Sequence, residues 1–133
     1  MTRRTAACSC GAISAVCEGD PVRLSVCHCL ECQRRTGSVF GTQVHYPREG
    51  VTVTGTSSTW TRSGDSGAAA TFHFCLTCGS TVWWEPHGRP EVITLGVGSF
   101  ADPAFPPPEH SVYEERRHDW VVFPEGMEIE RLN

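Results

Sequence analysis

The sequence has no long apolar run and no continuous row of basic residues. No stretch of its 133 residues is apolar enough to cross a bilayer. Its 11 basic residues are outnumbered by 15 acidic ones and are scattered, apart from the pairs at 34–35 and 116–117. Because phosphate binding needs clustered positive charge, we expect no nucleic-acid partner and no membrane span.

The amino-terminal segment lacks the apolar core of a secretory signal. Arg3 and Arg4 are followed by the cysteines and glycine of residues 8–11 where a signal would continue with apolar residues. We therefore expect a cytoplasmic protein, in a compartment that keeps thiols reduced. Eight cysteines in such a compartment indicate metal ligands in preference to disulfides.

The pattern of apolar residues predicts a mainly β fold with very little helix. Apolar residues recur with a period nearer two than 3.6, which favours strands. The predicted strands are 12–18, 22–27, 39–46, 51–54, 59–62, 70–74, 81–85, 92–97 and 120–123, with an exposed hairpin turn at 63–67. One short helix is expected at 30–36, ended by Gly37. No linker or repeat divides the chain, so we expect a single domain of antiparallel sheets over 1–133.

Seven of the eight cysteines form three closely spaced groups. These groups are Cys8-x-Cys10, Cys27-x-Cys29-x-x-Cys32 and Cys75-x-x-Cys78. Thiolates two or three residues apart on a tight turn can reach one ion at about 2.3 Å, whereas such close neighbours make strained disulfides with each other. The eighth, Cys17, lies within a predicted strand, and we expect it to be a small buried side chain.

Two of the three cysteine groups are followed directly by a glycine. Gly11 follows the first group and Gly79 the last. A residue that takes positive φ easily permits the sharp bend of a metal knuckle, in which backbone N–H groups point at sulfur. We therefore predict one closed, tetrahedral, structural zinc site. Its four ligands are Cys8, Cys10, Cys75 and Cys78.

The remaining group, Cys27, Cys29 and Cys32, offers three ligands within six residues. Three protein ligands leave a fourth position open, which is typical of a zinc site that binds water or substrate. Three thiolates give the site a formal charge of about −1 and a preference for a soft sulfur ligand, so we expect a substrate thiolate there. A single zinc ribbon is the alternative that spacing leaves open, and metal counting separates the two. Its ligands would be Cys29, Cys32, Cys75 and Cys78.

With the cysteines grouped in this way, the sequence resembles the glutathione-dependent formaldehyde-activating enzyme family, which includes the centromere protein V relatives and has the Mss4-like fold. The matching segments are 8–12, 27–37 and 74–80, with a looser match at 98–103. The resemblance implies a structural zinc on the four-cysteine group and a catalytic zinc on Cys27, Cys29 and Cys32. Gln33 stands where the family often has a basic residue.

The resemblance implies a carbon–sulfur lyase of the S-hydroxymethylglutathione synthase type, with glutathione or another small thiol and an aldehyde as substrates. Arg34 and Arg35 could bind the carboxylates of glutathione. His28 could move a proton, donate a hydrogen bond to a zinc-bound sulfur, or only pack beside the loop. The alternative is a zinc-stabilised binding module without chemistry. The sequence leaves open whether the chain forms a homodimer.

Overall fold

Strands dominate the computed structural model, which describes residues 2–63 and 68–133. The described strands, in chain order, are β1 Arg3–Ala7, β2 Ser14–Glu18, β3 Arg23–Cys27, β4 Gly41–Pro47, β5 Val51–Thr54, β6 Ser58–Ser63, β7 Ala69–Phe74, β8 Thr81–Pro86, β9 Val92–Gly96, β10 His110–Val112 and β11 Glu130–Arg131. Helix α1 spans Leu30–Thr36, and 3-10 turns cover Arg48–Gly50, Val97–Phe100 and Glu114–Arg116. The mainly β fold with little helix is confirmed.

The described strands form two sheets. One has three strands in the order β1-β2-β5, and the other has eight in the order β11-β10-β3-β4-β9-β8-β7-β6. Among the described pairings, β10 runs parallel to both β3 and β11, and the others are antiparallel. The predicted antiparallel sheets are therefore confirmed, and the larger sheet adds a parallel edge, because this neighbour comes from a distant segment that no local turn signal marks.

One apolar core joins the two sheets. The three-stranded sheet contributes Ala15 and Cys17, and the larger sheet contributes Val44 and Tyr46 from alternate positions of β4, all with no exposed surface. Cys17 is thus the buried side chain that was predicted. Burial raises the pKa of its thiol to about 12, so it stays protonated and apolar.

The strand predicted at 120–123 was wrong. Trp120 is 71% exposed and Val122 74% exposed, and the segment turns back through a hydrogen bond from the N–H of Val121 to the carbonyl of His118. The apolar residues of this segment lie at the surface, and the segment pairs with none of the described strands. The turn predicted at 63–67 lies mostly outside the described residues.

No described helix is long and apolar enough to span a membrane. The α-helix has seven residues, and its bounds are those expected from the sequence. It begins after Cys29, whose sulfur accepts a hydrogen bond from the backbone N–H of Cys32, and it ends at Gly37, which has φ of 71°. Both ends therefore follow from side-chain and backbone chemistry that can be read locally.

Candidate metal centres

The first sulfur cluster joins the β1–β2 connection to the β7–β8 connection. The sulfur atoms of Cys8, Cys10, Cys75 and Cys78 lie within 4.8 Å of one another. The sulfur of Cys10 is 3.7 Å from that of Cys8 and 3.6 Å from that of Cys75. Four sulfur atoms around an ion at about 2.3 Å in a tetrahedron are about 3.8 Å apart. The donor set and its spacing therefore fit an ion of the size of zinc.

The backbone around this cluster has the bends expected of metal knuckles. Gly11 has φ of 82° and Gly79 has φ of 78°, as their positions after the cysteines predicted. The N–H of Gly79 donates to the carbonyl of Cys75 at 2.8 Å, and the N–H of Ile13 donates to the sulfur of Cys8 at 3.2 Å. The first of these bonds closes the turn, and the N–H of Ile13 stabilises a negatively charged sulfur at Cys8.

Hydrogen bonds also prepare two of these sulfurs for ionisation. The hydroxyl and the backbone N–H of Ser80 lower the pKa of Cys78 to about 5. The backbone N–H of Ile13 lowers the pKa of Cys8. Because metal ligation requires the thiolate, these contacts reduce the cost of deprotonating the ligands.

The second cluster lies where β3 ends and α1 begins. The sulfur atoms of Cys27, Cys29 and Cys32 lie within 4.8 Å of one another, and all three residues are buried. Within residues 2–63 and 68–133, no fourth Cys, His, Asp or Glu joins them. The group therefore offers three sulfur donors, and a fourth coordination position is left for a ligand. We call these three residues the triplet.

The structure groups the cysteines as the glycine positions indicated. The described chain places Cys29 and Cys32 with Cys27, and Cys75 and Cys78 with the amino-terminal pair. The fold therefore does not bring together the four ligands of the single zinc ribbon, which would be Cys29, Cys32, Cys75 and Cys78. All eight cysteines are free thiols in the structure.

Proton sharing among the thiols dominates the electrostatics of the triplet. The pKa of Cys29 is lowered to about 2 because the thiols of Cys27 and Cys32 donate hydrogen bonds to its sulfur, and the charge of Arg62 adds to the effect. Hydrogen bonds with Cys29 and Cys32 raise the pKa of Cys27. Without a cation, the buried cluster holds a single thiolate readily, so ionisation of all three thiols requires a bound metal.

The two arginines singled out in the sequence occupy different environments. Arg34 forms an exposed ion pair with Glu31, with Nη1 3.2 Å from Oε1. Arg35 instead lies at the triplet, where a Cβ added to Gly41 would be 3.1 Å from Nη2 of Arg35 and 3.3 Å from the Cβ of Cys32. The Arg35 guanidinium also lies 4.3 Å from the ring centre of Trp84. Arg35 is therefore placed to act on a ligand of the triplet, and Arg34 is not.

His28 is fully buried within a hydrogen-bonded network behind the triplet. Its Nε2 lies 2.9 Å from the hydroxyl of Ser111 and 3.5 Å from the carboxylate of Glu114. The Ser111 hydroxyl donates to that carboxylate, which Arg117 and Arg131 also approach. Burial lowers the pKa of His28. The ring therefore makes its hydrogen bonds within the protein. This favours a role for His28 in positioning the loop, and not in proton transfer to a substrate.

Sequence reasoning missed the residues that support the triplet from the 110–116 segment. Val112 and Tyr113 pack against its cysteines, and the carbonyl of Val112 accepts a hydrogen bond from the N–H of His28 at 3.1 Å. Tyr113 has φ of 56°, a strained value for a bulky residue that the surrounding contacts must hold. No motif marks these residues, because β10 reaches the triplet only through its parallel pairing with β3.

A cavity of about 330 Å³ adjoins the triplet. Arg35, Gly41 and Ser99 are among the residues that line it, and Gly41 also borders Cys32. This volume is at the lower end of what small-molecule sites enclose. A ligand of a few heavy atoms beside the triplet is therefore compatible with the shape of the surface.

Two separate sulfur clusters on a mainly β scaffold define a small β protein with two groups of residues that can hold a metal ion. The chain belongs to the family described as glutathione-dependent formaldehyde-activating enzyme, whose model matches residues 3–116. The Mss4-like fold expected from the resemblance agrees with this assignment.

A crystal structure of a Rhodobacter sphaeroides protein is similar to this chain, with a TM-score of 0.53 and 22% sequence identity over 77% of this chain and 91% of that one. At this identity the likeness concerns the fold alone. No curated protein matches the chain significantly.

Proposed function

We propose that this protein is a zinc-dependent carbon–sulfur lyase that makes or breaks the adduct of a small thiol with an aldehyde. The observation that carries the proposal is the triplet, where three buried sulfurs converge and no fourth ligand joins them in the described parts of the chain. The family description, with glutathione and formaldehyde in its wording, supports this substrate class. Glutathione, or another small cytoplasmic thiol, is then the proposed partner.

The donor chemistry of both clusters supports zinc as the metal. Thiolates select soft or borderline ions, and four thiolates with tetrahedral spacing are typical of structural zinc. At the triplet, a zinc ion would supply an open, soft coordination position where a substrate thiol stays deprotonated near neutral pH.

The residues around the triplet have separate tasks in this proposal. Cys27, Cys29 and Cys32 hold the metal, and the N–H of Cys32 stabilises the sulfur of Cys29. Arg35 supplies a positive charge beside Cys32, which favours an anionic sulfur in the adjoining cavity. In the forward direction, the substrate sulfur bonds to the carbonyl carbon and the carbonyl oxygen takes up a proton. In the reverse direction that proton leaves and the carbon–sulfur bond breaks.

A thiol titration tests the proposal directly. Glutathione added to cobalt-loaded protein should change the sulfur-to-cobalt absorption in proportion to thiol binding, and Cys29→Ser should abolish that change. Cys17→Ala is the matched control, because Cys17 is buried and belongs to neither sulfur cluster. Under the alternative of a binding module without chemistry, wild-type protein would show no response to any thiol.

The lyase step has its own measurement. Exchange between free formaldehyde and the hydroxymethyl adduct of glutathione can be followed by nuclear magnetic resonance. Zinc-loaded wild type should accelerate this exchange, and Cys29→Ser should return it to the uncatalysed rate. Acceleration that survives in Cys29→Ser would contradict the assignment of the chemistry to the triplet.

A further inference from the structure

Arg62, on β6, shares an aromatic ring with Arg35. The guanidinium carbon of Arg62 lies 4.9 Å from the centre of the Phe72 ring, and that of Arg35 lies 5.4 Å from the same centre. Phe72 pairs with Trp84 across β7 and β8, so the ring is fixed in the sheet. Two guanidinium groups thus contact one aromatic ring, and burial together with the charge of Arg62 lowers the pKa of Arg35.

Neither guanidinium has a carboxylate partner among the described residues. Six other arginines do form ion pairs with glutamates, namely Arg3, Arg34, Arg48, Arg89, Arg117 and Arg131. The Nε atoms of Arg35 and Arg62 are buried, and neither has a hydrogen-bond partner in the described parts of the chain. Unpaired buried donors and neighbouring like charges both cost free energy. The sulfur of Cys32 offsets part of the charge of Arg35, and a further anion bound beside the two guanidinium groups would offset the rest.

The two arginines lie at different distances from the sulfur atoms. Nη2 of Arg35 and the Cβ of Cys32 both lie close to the position that a Cβ added to Gly41 would take. Arg35 therefore lies directly beside the triplet. Arg62 acts on the triplet only through its long-range charge, which helps to lower the pKa of Cys29. Beside Phe72, the ring of Trp60 lies 6.4 Å away and Trp60 is 54% exposed, so this face is open to solvent.

We infer that Arg62 and Arg35 form an anion subsite over Phe72 that binds a carboxylate of the thiol substrate. The inference rests on the proposed function, since it places the substrate sulfur at the triplet. A thiol bound there extends past Arg35 towards Arg62, and a guanidinium offers a carboxylate two parallel hydrogen bonds. The sequence analysis expected Arg34 to bind such a carboxylate. Arg34 forms an ion pair with Glu31 instead, and Arg62 takes its place.

A pair of thiols that differ only at the far end tests the inference. The probes are 3-mercaptopropionate and the uncharged 3-mercaptopropanol, titrated against full-length cobalt-loaded protein and followed by sulfur-to-cobalt absorption. Wild type should bind the carboxylate more tightly. Arg62→Gln should weaken the carboxylate about tenfold, the effect of one charge-assisted hydrogen bond, and leave the alcohol unchanged.

Two further variants separate charge from geometry. Arg62→Lys should restore part of the preference, because it returns the charge without the planar fork. Arg34→Gln is the matched control and should leave both affinities unchanged, since Arg34 is paired with Glu31 on the exposed face of α1.

Three results would overturn the inference. Equal weakening of both probes by Arg62→Gln would mean that Arg62 acts only on the sulfur charge, and equal binding of both probes by wild type would mean that no carboxylate subsite exists. In either case thiol binding itself, and so the proposed function, stands. If neither probe binds wild type, the proposed function fails and the subsite fails with it.

Discussion

Gly41 is the residue at which the triplet, Arg35 and the adjoining cavity meet. Its lack of a side chain permits this contact, because an added Cβ would stand 3.3 Å from the Cβ of Cys32 and 3.1 Å from Nη2 of Arg35. The end of the Arg35 side chain can move aside, but Cys32 belongs to the first turn of helix α1, so its Cβ is fixed by the helix backbone. The space above Gly41 therefore sets the position of one of the three sulfurs.

Gly41→Ala should weaken metal binding at the triplet about tenfold, because a ligand displaced by a few tenths of an ångström loses roughly 1.4 kcal/mol. Titration with a chromophoric chelator measures the two metal affinities, and that of the four-cysteine cluster should not change. Gly88→Ala is the control, since an added Cβ there meets nothing within 4 Å. Equal metal affinities in Gly41→Ala and wild type would contradict the role of this contact.

His45 gives the fold a pH dependence at a position removed from both sulfur clusters. Burial lowers its pKa to about 4, with contributions from the charges of Arg89 and Arg23, while its Nδ1 lies 2.6 Å from the buried hydroxyl of Thr94. In the unfolded chain the pKa is about 6.5. Between these values the unfolded state binds a proton that the folded state does not, so stability is lost as pH falls.

His45→Gln should therefore remove part of the acid sensitivity. The free energy of unfolding of wild type should fall between pH 7 and pH 5 by about 1–2 kcal/mol more than that of the variant. Urea unfolding at the two pH values measures this, with His87→Gln as the control because His87 is exposed. The same pH dependence in His45→Gln and wild type would contradict the assignment.

At the scale of the elements, the parallel edge supports the triplet from behind. Strand β10 pairs with both β3 and β11, and Glu114, just beyond β10, meets His28, Arg117 and Arg131. This carboxylate is only 12% exposed. It therefore links the carboxyl-terminal strand to the loop that carries Cys27 and Cys29.

Glu114→Gln should loosen that loop without unfolding the molecule. Removing a partly buried charge that faces two arginines costs roughly 1–3 kcal/mol. Hydrogen exchange should accelerate at the amides of 28–33, and the metal of the triplet should dissociate faster than that of the four-cysteine cluster. Glu115→Gln, at the exposed neighbouring position, should behave as wild type. Unchanged exchange in Glu114→Gln would mean that the network does not position the loop.

The elements that could be predicted are those with local signals. Helix α1 has its predicted bounds because the sulfur of Cys29 caps its start and Gly37 its end. Strand β1 was missed because its five residues alternate weakly and only Ala6 is buried. Strands β10 and β11 have three and two residues, and they depend on parallel pairings with distant segments.

The candidate sites divide in the same way. The partition of seven cysteines followed from spacing and from two glycines with positive φ. Ser111, Glu114 and Arg62 could not be found from the sequence, since the sheet pairings bring them towards the triplet from distant parts of the chain. Their residue types alone do not distinguish them from ordinary surface polar residues.

For the molecule as a whole, the four-cysteine cluster connects distant parts of the chain. It connects residues 8–10 with residues 75–78 and so joins the edge of the small sheet to the β7–β8 hairpin of the large one. A structural zinc contributes on the order of 10 kcal/mol, comparable to the whole stability of a domain of this size. The prediction that residues 1–133 form a single domain depends on this connection and on the shared core.

Cys75→Ser should therefore unfold the protein, whereas Cys29→Ser should leave it folded. Circular dichroism during thermal unfolding should show no cooperative transition for the first variant and a transition close to that of wild type for the second. Excess chelator should reproduce the effect of Cys75→Ser in wild type. A folded, cooperative Cys75→Ser would show that the cluster is not needed for the fold.

In the proposed protein, the sulfur ligands are divided between a closed four-ligand site and a separate three-ligand site. Zinc per chain, measured by elemental analysis in wild type and in Cys29→Ser after reconstitution and gel filtration, tests this division most directly. We predict two ions per wild-type chain and one in the variant. One ion per wild-type chain, or loss of all zinc in Cys29→Ser, would contradict it.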